Sequence, residues 1–353
     1  MKVHGKELED RAENALSACL SKIPFLRIKE IKRKPSQDEV RPDFLVRLTL
    51  PRGKQQDLVV EVRSNGQPRL AREAANQLLR CRDSYPGAYG VLIAPYISPK
   101  AAEICIQEDI GYVDLSGNCR LCFGQVYIER EGMPNAFAKK RDLRSLYSPK
   151  AERVVRVLLN HPKRPWKTAE LAEEAQVSLG QVSNVKKLLV DREWIQTQPS
   201  GFILGEPEGL LKEWAANYSF RRNLARGLYS LKRVPEIEAH LGEVCKQRGI
   251  ICALTSFSGA ARLAPAVRYQ TVVAYVEGTG QDVAQLLGLK EVTSGANVSL
   301  LYPYDRGVLY GAREVEGVQI VSPIQIYLDL CNFPGRGEEA AQVLLEQVIR
   351  QKW

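Results

Sequence analysis

Residues 1–132 alternate between apolar stretches of strand length and stretches with helical spacing. A helix at roughly 5–22 precedes three predicted strands, in "FLRIKEIKR", "DFLVRLTL" and "DLVVEVRS". A helix in "PRLAREAANQLLRCRDSY", a strand in "YGVLIAP", a helix in "SPKAAEICIQED" and strands in "GYVDLSG" and "RLCFGQVYIER" follow. Because helices lie between strands, the pattern predicts a mixed, partly parallel sheet with both faces covered.

Residues 145–205 show a different pattern, with three short helices followed by two strands. Thr168 is predicted to be the N-cap of the second helix, in "TAELAEEA", and Ser178 the N-cap of the third. The stretch "WIQTQPSGFIL" predicts two strands around Gly201. The positions predicted to face inward share helical spacing and apolar character: Val154, Val157, Leu158, Leu171, Ala175, Val182, Val185 and Leu189.

The third helix carries small, amide and basic residues opposite its apolar stripe. Small and amide side chains let a helix enter a DNA major groove, and lysines meet the phosphates. The block resembles the winged helix-turn-helix DNA-binding family over its whole length, which implies double-stranded DNA as a partner. The alternative is a winged helix that makes only protein contacts or forms a homodimer. The predicted DNA-binding residues are Ser178, Gly180, Gln181, Ser183, Asn184, Lys186 and Lys187.

Two acidic motifs lie at the ends of neighbouring predicted strands in the first block. Asp43 follows Pro42 in "RPDFLVRL", and Glu61 precedes Arg63 by two residues at the end of "DLVVEVRS". With the order of elements, these motifs resemble the restriction-endonuclease-like fold, the PD-(D/E)xK superfamily, over about residues 5–130. The resemblance implies Asp43 and Glu61 as Mg²⁺ ligands and Gln77, on the next helix, as a further catalytic residue. Carboxylate oxygens are the hard ligands that Mg²⁺ requires.

Arg63 occupies the position where this superfamily usually has a lysine. An arginine effectively never loses its proton, so Arg63 can stabilise phosphate charge but cannot act as a base. Glu9 or Glu13 on the first helix is a candidate for an additional acid. Two alternatives stay open: an inactive nuclease-like scaffold, which the arginine favours, and an active Mg²⁺-dependent deoxyribonuclease. No cofactor is expected unless that site is active, in which case Mg²⁺ is needed.

A linker is predicted at 133–144, before the winged helix. Residues 206–353, which follow the winged helix, begin with helices and continue as mixed α/β. A small-residue turn at Ser256–Gly259 precedes the strand "TVVAYV", which lacks the acids that would hold two metal ions. This order resembles a degenerate nucleotidyltransferase fold. The turn either binds an anion through backbone amides or packs tightly on a sheet, and packing is preferred.

Two further stretches, Tyr327–Leu330 ("YLDL") and Gly335–Ala341 ("GRGEEAA"), resemble the AbiEi family of type IV toxin–antitoxin antitoxins and transcriptional regulators. The resemblance covers about residues 145–353 and implies a regulator whose antagonist is a nucleotidyltransferase-type toxin. The chain is thus predicted to be a multi-domain α/β protein. Its predicted domains are restriction-endonuclease-like at 1–132, winged helix-turn-helix at 145–205 and nucleotidyltransferase-like at 206–353.

The net charge of +9 lies wholly in the first 205 residues, because residues 206–353 hold 16 basic and 16 acidic side chains. This excess favours a polyanionic partner for that part, although a mildly basic, inert surface is the alternative. No apolar run approaches the ~18 residues that a membrane helix needs. The first residues do not resemble a signal peptide, and the eight cysteines include no second Cys-x-x-Cys pair. We therefore expect a cytoplasmic protein with free thiols and no membrane contact.

Overall fold

The computed structural model describes residues 6–35, 41–137, 146–278, 281–333 and 335–353. Most of the predicted linker, residues 138–144, lies outside the described residues, as does residue 145. Cα positions in the described chain cluster into two units. One contains residues 1–142 with 190–193, and the other contains residues 143–189 with 194–353.

The first unit contains one sheet whose strand order follows the chain. Neighbouring strands run antiparallel from β1 to β3, parallel from β3 to β5 and antiparallel from β5 to β7. The predicted mixed, partly parallel sheet is therefore confirmed. Its elements are α1 (Lys6–Leu20), β1 (Arg27–Arg33), β2 (Phe44–Thr49), β3 (Gln55–Val62), α2 (Pro68–Ser84), β4 (Tyr89–Ala94), α3 (Pro99–Gln107), β5 (Gly111–Asp114), β6 (Cys119–Phe123) and β7 (Val126–Arg130).

Apolar side chains fill both faces of this sheet. Successive residues of a strand point to opposite faces, so Val59 and Val60 of β3 contribute to two different clusters of buried side chains. Leu16 of α1 packs in the cluster that contains Val60, and Leu78 of α2 packs in the one that contains Val59. Burial on both faces explains why the central strands β3 and β4 read as nearly continuous apolar runs, whereas the edge strand β1 is mostly exposed.

The second unit begins with three helices and a two-stranded hairpin. All of the positions predicted to face inward in this block are buried. Ser178 caps the third helix as predicted, because its Oγ accepts a hydrogen bond from the Gln181 amide at 3.3 Å. The predicted N-cap at Thr168 is wrong by one residue: Lys167 is the N-cap, and its amide donates to the Glu170 carboxylate at 3.5 Å. The elements are α4 (Pro149–Asn160), α5 (Thr168–Glu174), α6 (Leu179–Asp191), β8 (Ile195–Gln198) and β9 (Gly201–Leu204).

A second mixed sheet follows in the same unit. The elements are α7 (Pro207–Asn217), β10 (Leu224–Tyr229), α8 (Val234–Arg248), β11 (Cys252–Leu254), α9 (Ser256–Ala260), β12 (Val272–Val276), α10 (Gln281–Leu286), β13 (Lys290–Glu291), β14 (Val298–Tyr302), β15 (Arg313–Val315), β16 (Val318–Ile320), α11 (Pro323–Cys331) and α12 (Gly337–Leu344). The strand order is β13-β10-β14-β12-β11-β16-β15, and the central strand β12 is buried along its whole length. Short 3₁₀ turns occur at Pro51–Gly53, Phe220–Arg222, Arg306–Leu309 and Arg350–Lys352, and a π turn at Leu345–Ile349.

Candidate functional site

Helix α6 presents a polar face to solvent and an apolar face to the core. Its buried stripe is Val182, Val185 and Leu189, each at most 1% exposed. Ser183 and Asn184 lie between these positions on the sequence and are exposed. Since 3.6 residues make one turn, the exposed residues form a continuous face opposite the stripe. Of the predicted DNA-binding set, the exposed members are Ser178, Gly180, Ser183, Asn184 and Lys187.

The two lysines of α6 differ in their surroundings. Lys187 is exposed and forms no hydrogen bond or ion pair with any other described residue. Lys186 is half-buried, and its Nζ lies 4.6 Å from the centre of the Phe202 ring in the hairpin. Lys187 is therefore available to a phosphate, whereas Lys186 also packs the hairpin against the helix. Gln181, at the start of α6, is half-buried.

The hairpin is fixed to the helices by a third extended segment at Trp166. The Trp166 amide donates to the Phe202 carbonyl at 2.9 Å, and the Phe202 amide donates back at 3.0 Å. Gly201 is needed beside this contact, because its φ is +149° and a Cβ there would lie 2.5 Å from the Trp166 carbonyl oxygen. The tip of the hairpin, at 198–200, is exposed and carries no charged residue.

In the first unit, the predicted nuclease-like residues come together at the end of β3. The Val62 amide donates to Asp43 Oδ2 at 2.8 Å. The Arg63 guanidinium hydrogen-bonds the Glu61 carboxylate and donates to Gln77 Oε1 at 2.9 Å. All four predicted residues, Asp43, Glu61, Arg63 and Gln77, are therefore close to one another in the fold.

Glu61 is the unusual member of this group, since only 3% of its surface is exposed. Burial, followed by the nearby charge of Asp43, raises the pKa of Glu61 to about 7, although Arg63 acts in the opposite direction. Glu61 Oε2 is buried and has no hydrogen-bond partner. Oε2 of Glu61 is thus left to carry a proton or to contact a cation.

The residues around Glu61 do not match what a Mg²⁺ site needs. The cation beside the carboxylate is already Arg63, and among the described residues only two acids, Asp43 and Glu61, converge there. The candidates for a third acid are engaged elsewhere, because Glu13 pairs with Arg33 at 2.6 Å and Glu9 pairs with Lys34 at 3.2 Å. Across the described residues, no group of three or more His, Cys, Asp or Glu side chains is placed to hold a metal ion. Mg²⁺ prefers a near-octahedral set of oxygen ligands.

A buried polar network, which was not predicted, lies in the second unit around Asp329 of α11. Asp329 is 2% exposed and accepts hydrogen bonds from Thr255 at 2.5 Å, Tyr218 at 2.8 Å, Gln325 at 3.0 Å and Tyr275 at 3.1 Å. Burial raises the pKa of Asp329 to about 6, although each of these hydrogen bonds acts to lower it. The signal in the sequence was a pair of polar residues four apart, Gln325 and Asp329, in the otherwise apolar "PIQIYLDLC".

The same network continues into helix α4. Arg156, fully buried, donates to Gln325 Oε1 at 2.7 and 3.1 Å. Its guanidinium lies 4.7 Å from the centre of the Trp214 ring and 3.6 Å from the Glu152 carboxylate, which also pairs with Arg222 at 2.6 Å. The first of the three helices is therefore joined to α11 by buried, charge-assisted contacts.

The small-residue turn at Ser256–Gly259 is wholly buried. A Cβ on Gly259 would lie 2.9 Å from Cδ1 of Ile326, so glycine allows helix α9 to pack closely on α11. Ser256 is 1% exposed, and its Oγ has no hydrogen-bond partner among the described residues. These contacts favour packing over anion binding for the turn.

Residues 203–350 match a family described as transcriptional regulator, AbiEi antitoxin, type IV TA system. The match confirms the predicted AbiEi resemblance for that part of the chain, and no comparison supports the predicted nuclease-like domain. No curated protein and no solved structure matches the chain. In the described part of the chain, no helix is both long and apolar enough to cross a membrane.

Proposed function

We propose that this chain is a sequence-specific DNA-binding transcriptional regulator of the AbiEi antitoxin type, which reads the major groove with helix α6. The observation that carries the proposal is the exposed Ser183–Asn184–Lys187 face, held opposite a buried apolar stripe, immediately before the part that matches the regulator family. On this proposal the segment from α4 to β9 is a winged helix-turn-helix, with β8 and β9 as the wing.

The chemistry of the face suits base reading. Asn184 offers both a donor and an acceptor, which is the combination that reads adenine in the major groove. Gly180 and Ser183 are small enough for the backbone to approach the base edges. Lys187 supplies a phosphate contact, and the uncharged hairpin tip adds little positive charge, so we expect weak non-specific binding.

For the first unit we propose an inactive nuclease-like scaffold that adds DNA-backbone contacts or a dimer surface. Arg63 supports this role because its permanent positive charge is paired with the Glu61 carboxylate. A metal ion would need that same carboxylate as a ligand. The alternative, a Mg²⁺-dependent deoxyribonuclease, predicts nicking of supercoiled DNA that requires Mg²⁺ and is lost in both Asp43→Ala and Glu61→Ala. A toxin or another protein partner, and a cytoplasmic location, belong to the same proposal.

The decisive experiment measures binding of the full chain to a fluorescent duplex taken from its own upstream region. Anisotropy at about 100 mM salt is expected to show specific binding that weakens as salt rises. Asn184→Ala should weaken specific binding by about five- to 150-fold, equivalent to about 1–3 kcal/mol for a bidentate base contact. Lys187→Ala should weaken all duplexes alike and reduce the salt slope by about one.

Lys290→Ala is the matched control, because Lys290 is an exposed lysine of the same unit on the short strand β13. It should bind like the unmodified protein. If no duplex is retained, or if all three variants bind alike, α6 does not read DNA and the helices serve as a protein-docking surface instead.

A further inference from the structure

Two cysteines from distant parts of the chain meet in the first unit. Cys19 lies in the last turn of α1, and Cys119 is the first residue of β6, 100 residues later. The Cys19 thiol donates to the Cys119 sulfur, and the two sulfurs are 3.6 Å apart. Cys119 is buried and Cys19 is half-buried, so solvent reaches the pair from the Cys19 side.

The pair lies beside two exposed cations. Arg130 of β7 is directly opposite Cys119 in the antiparallel register, which places both side chains on one face of the sheet. Lys22 follows Cys19 by three residues, just after α1 ends. The hydrogen bond from Cys19, followed by Arg130 and Lys22, lowers the pKa of Cys119 to about 7 against the effect of burial.

The other cysteines lack this combination of features. Cys245 and Cys252 also lie side by side, but both are buried. Burial raises the pKa of Cys81, and it raises that of Cys105 to about 12. Cys122, the other half of the Cys-x-x-Cys motif, is exposed while Cys119 is buried, so the two do not share a site. A thiolate, a second sulfur within reach and access to solvent occur together only at Cys19 and Cys119 among the described cysteines.

We propose that Cys19 and Cys119 form a peroxide-sensitive dithiol that closes reversibly to a disulfide between α1 and β6. The Cys119 thiolate attacks hydrogen peroxide and the O–O bond breaks. A sulfenic acid forms on Cys119, and the departing hydroxide takes up the proton that Cys119 had released, giving one water. The Cys19 thiol, whose pKa is raised by its hydrogen bond to Cys119, then attacks the Cys119 sulfur. An S–S bond forms, the S–O bond breaks, and the hydroxide leaves with the Cys19 proton as a second water.

In the overall reaction, two thiols and one hydrogen peroxide give one disulfide and two waters. The dithiol loses two electrons and the peroxide gains them. A small-molecule dithiol reverses the reaction. The sulfurs must approach from 3.6 Å to about 2.05 Å for the bond to form. The product closes a 100-residue loop and fixes α1 to the sheet.

Peptide mapping of the full chain after brief exposure to hydrogen peroxide tests the proposal. Trypsin releases Cys19 in residues 12–22 and Cys119 in residues 101–120, a peptide that also contains Cys105. The experiment therefore uses a Cys105→Ser background, which leaves one cysteine in each peptide. We expect a 12–22/101–120 cross-link that dithiothreitol removes, formed about tenfold faster at pH 7 than any link between Cys245 and Cys252.

Matched variants make the result specific. Cys119→Ser should abolish the cross-link, while Cys252→Ser should leave its rate unchanged. The proposal is overturned if peptide 12–22 stays unlinked under conditions that already oxidise Cys122, or if Cys19 links to Cys122 at the same rate in Cys119→Ser. If a serine variant does not fold, differential alkylation of the cysteines of the unmodified protein tests the same point, because Cys19 and Cys119 should lose their free thiols together after exposure to peroxide.

Discussion

The carboxyl of Glu61 provides the sharpest quantitative prediction. It is 3% exposed, its Oε2 has no partner, and burial raises its pKa from the ordinary value of 4.5 to about 7. Each unit of that difference corresponds to about 1.4 kcal/mol between the ionised and neutral forms. The ionised form therefore costs the folded state about 3 kcal/mol, as an order of magnitude.

The direction of the pH dependence follows from which state, folded or unfolded, holds the Glu61 proton more tightly. The folded state retains the proton up to about pH 7, whereas the unfolded chain loses it near its ordinary pKa of 4.5. The contribution of Glu61 to stability is therefore fully present below about pH 4.5 and is lost as the pH rises through about 7. Glu61→Gln imitates the protonated form, because its amide can donate to Asp43 while its carbonyl accepts from Arg63.

We expect Glu61→Gln to raise the free energy of unfolding by about 2–3 kcal/mol at pH 8 and to change it little at pH 5. Urea unfolding followed by far-UV circular dichroism measures this. The four tryptophans all lie after residue 165, so tryptophan fluorescence does not report the first unit directly. Glu103→Gln, on the exposed side of α3, is the control and should change stability by less than about 0.5 kcal/mol.

If the free energy of unfolding of Glu61→Gln at pH 8 is equal to or below that of the unmodified protein, the reasoning is refuted, because ionised Glu61 would then not destabilise the folded state. Addition of Mg²⁺ at pH 8 separates the remaining alternatives. If Mg²⁺ stabilises the unmodified protein but not Glu61→Gln, the acid pair binds metal and the proposed inactive scaffold is wrong.

Three further predictions concern the second unit and are measured by urea unfolding followed by tryptophan fluorescence. Arg156→Ala should cost about 3–5 kcal/mol, because Glu152 and Gln325 lose a buried partner; a cost below 1 kcal/mol contradicts the network. Gly201→Ala should cost about 2–4 kcal/mol through the clash with the Trp166 carbonyl, whereas Gly249→Ala, in open space, should cost clearly less. Leu189→Ala should cost about 2–5 kcal/mol and weaken the proposed DNA binding in parallel; intact stability would show that α6 is poorly packed.

The sequence predicted the elements well where periodicity and burial agree. The stripe of α6 and the parallel centre of the first sheet follow from local patterns that the core then satisfies. The convergence of Asp43 on Glu61 was also predictable, because neighbouring strand ends meet at one edge. The full burial of Glu61 was not, since it depends on how α2 and the adjacent strands cover the end of β3.

Contacts between distant residues were the part that the sequence could not supply. Arg156 and Gln325 are 169 residues apart, and nothing local marks them as partners. The pairing of Glu13 with Arg33 of β1, and of Glu9 with Lys34 just after β1, depends on the angle at which α1 crosses the sheet. The error at Thr168 has a different cause, because a helix start is ambiguous by one residue when the next residues are equally suitable.

The family match begins at residue 203, within β9, and so divides the hairpin whose other strand is β8. The buried guanidinium of Arg156 meanwhile depends on Gln325, which lies far inside the matched part. The start of the family match and the start of the second unit therefore differ in this half of the chain. A recombination event at residue 203 would leave the buried Arg156 dependent on whatever residue the incoming segment carries in place of Gln325. Recombination is therefore expected to keep residues 146–189 and 194–353 together as one inherited segment.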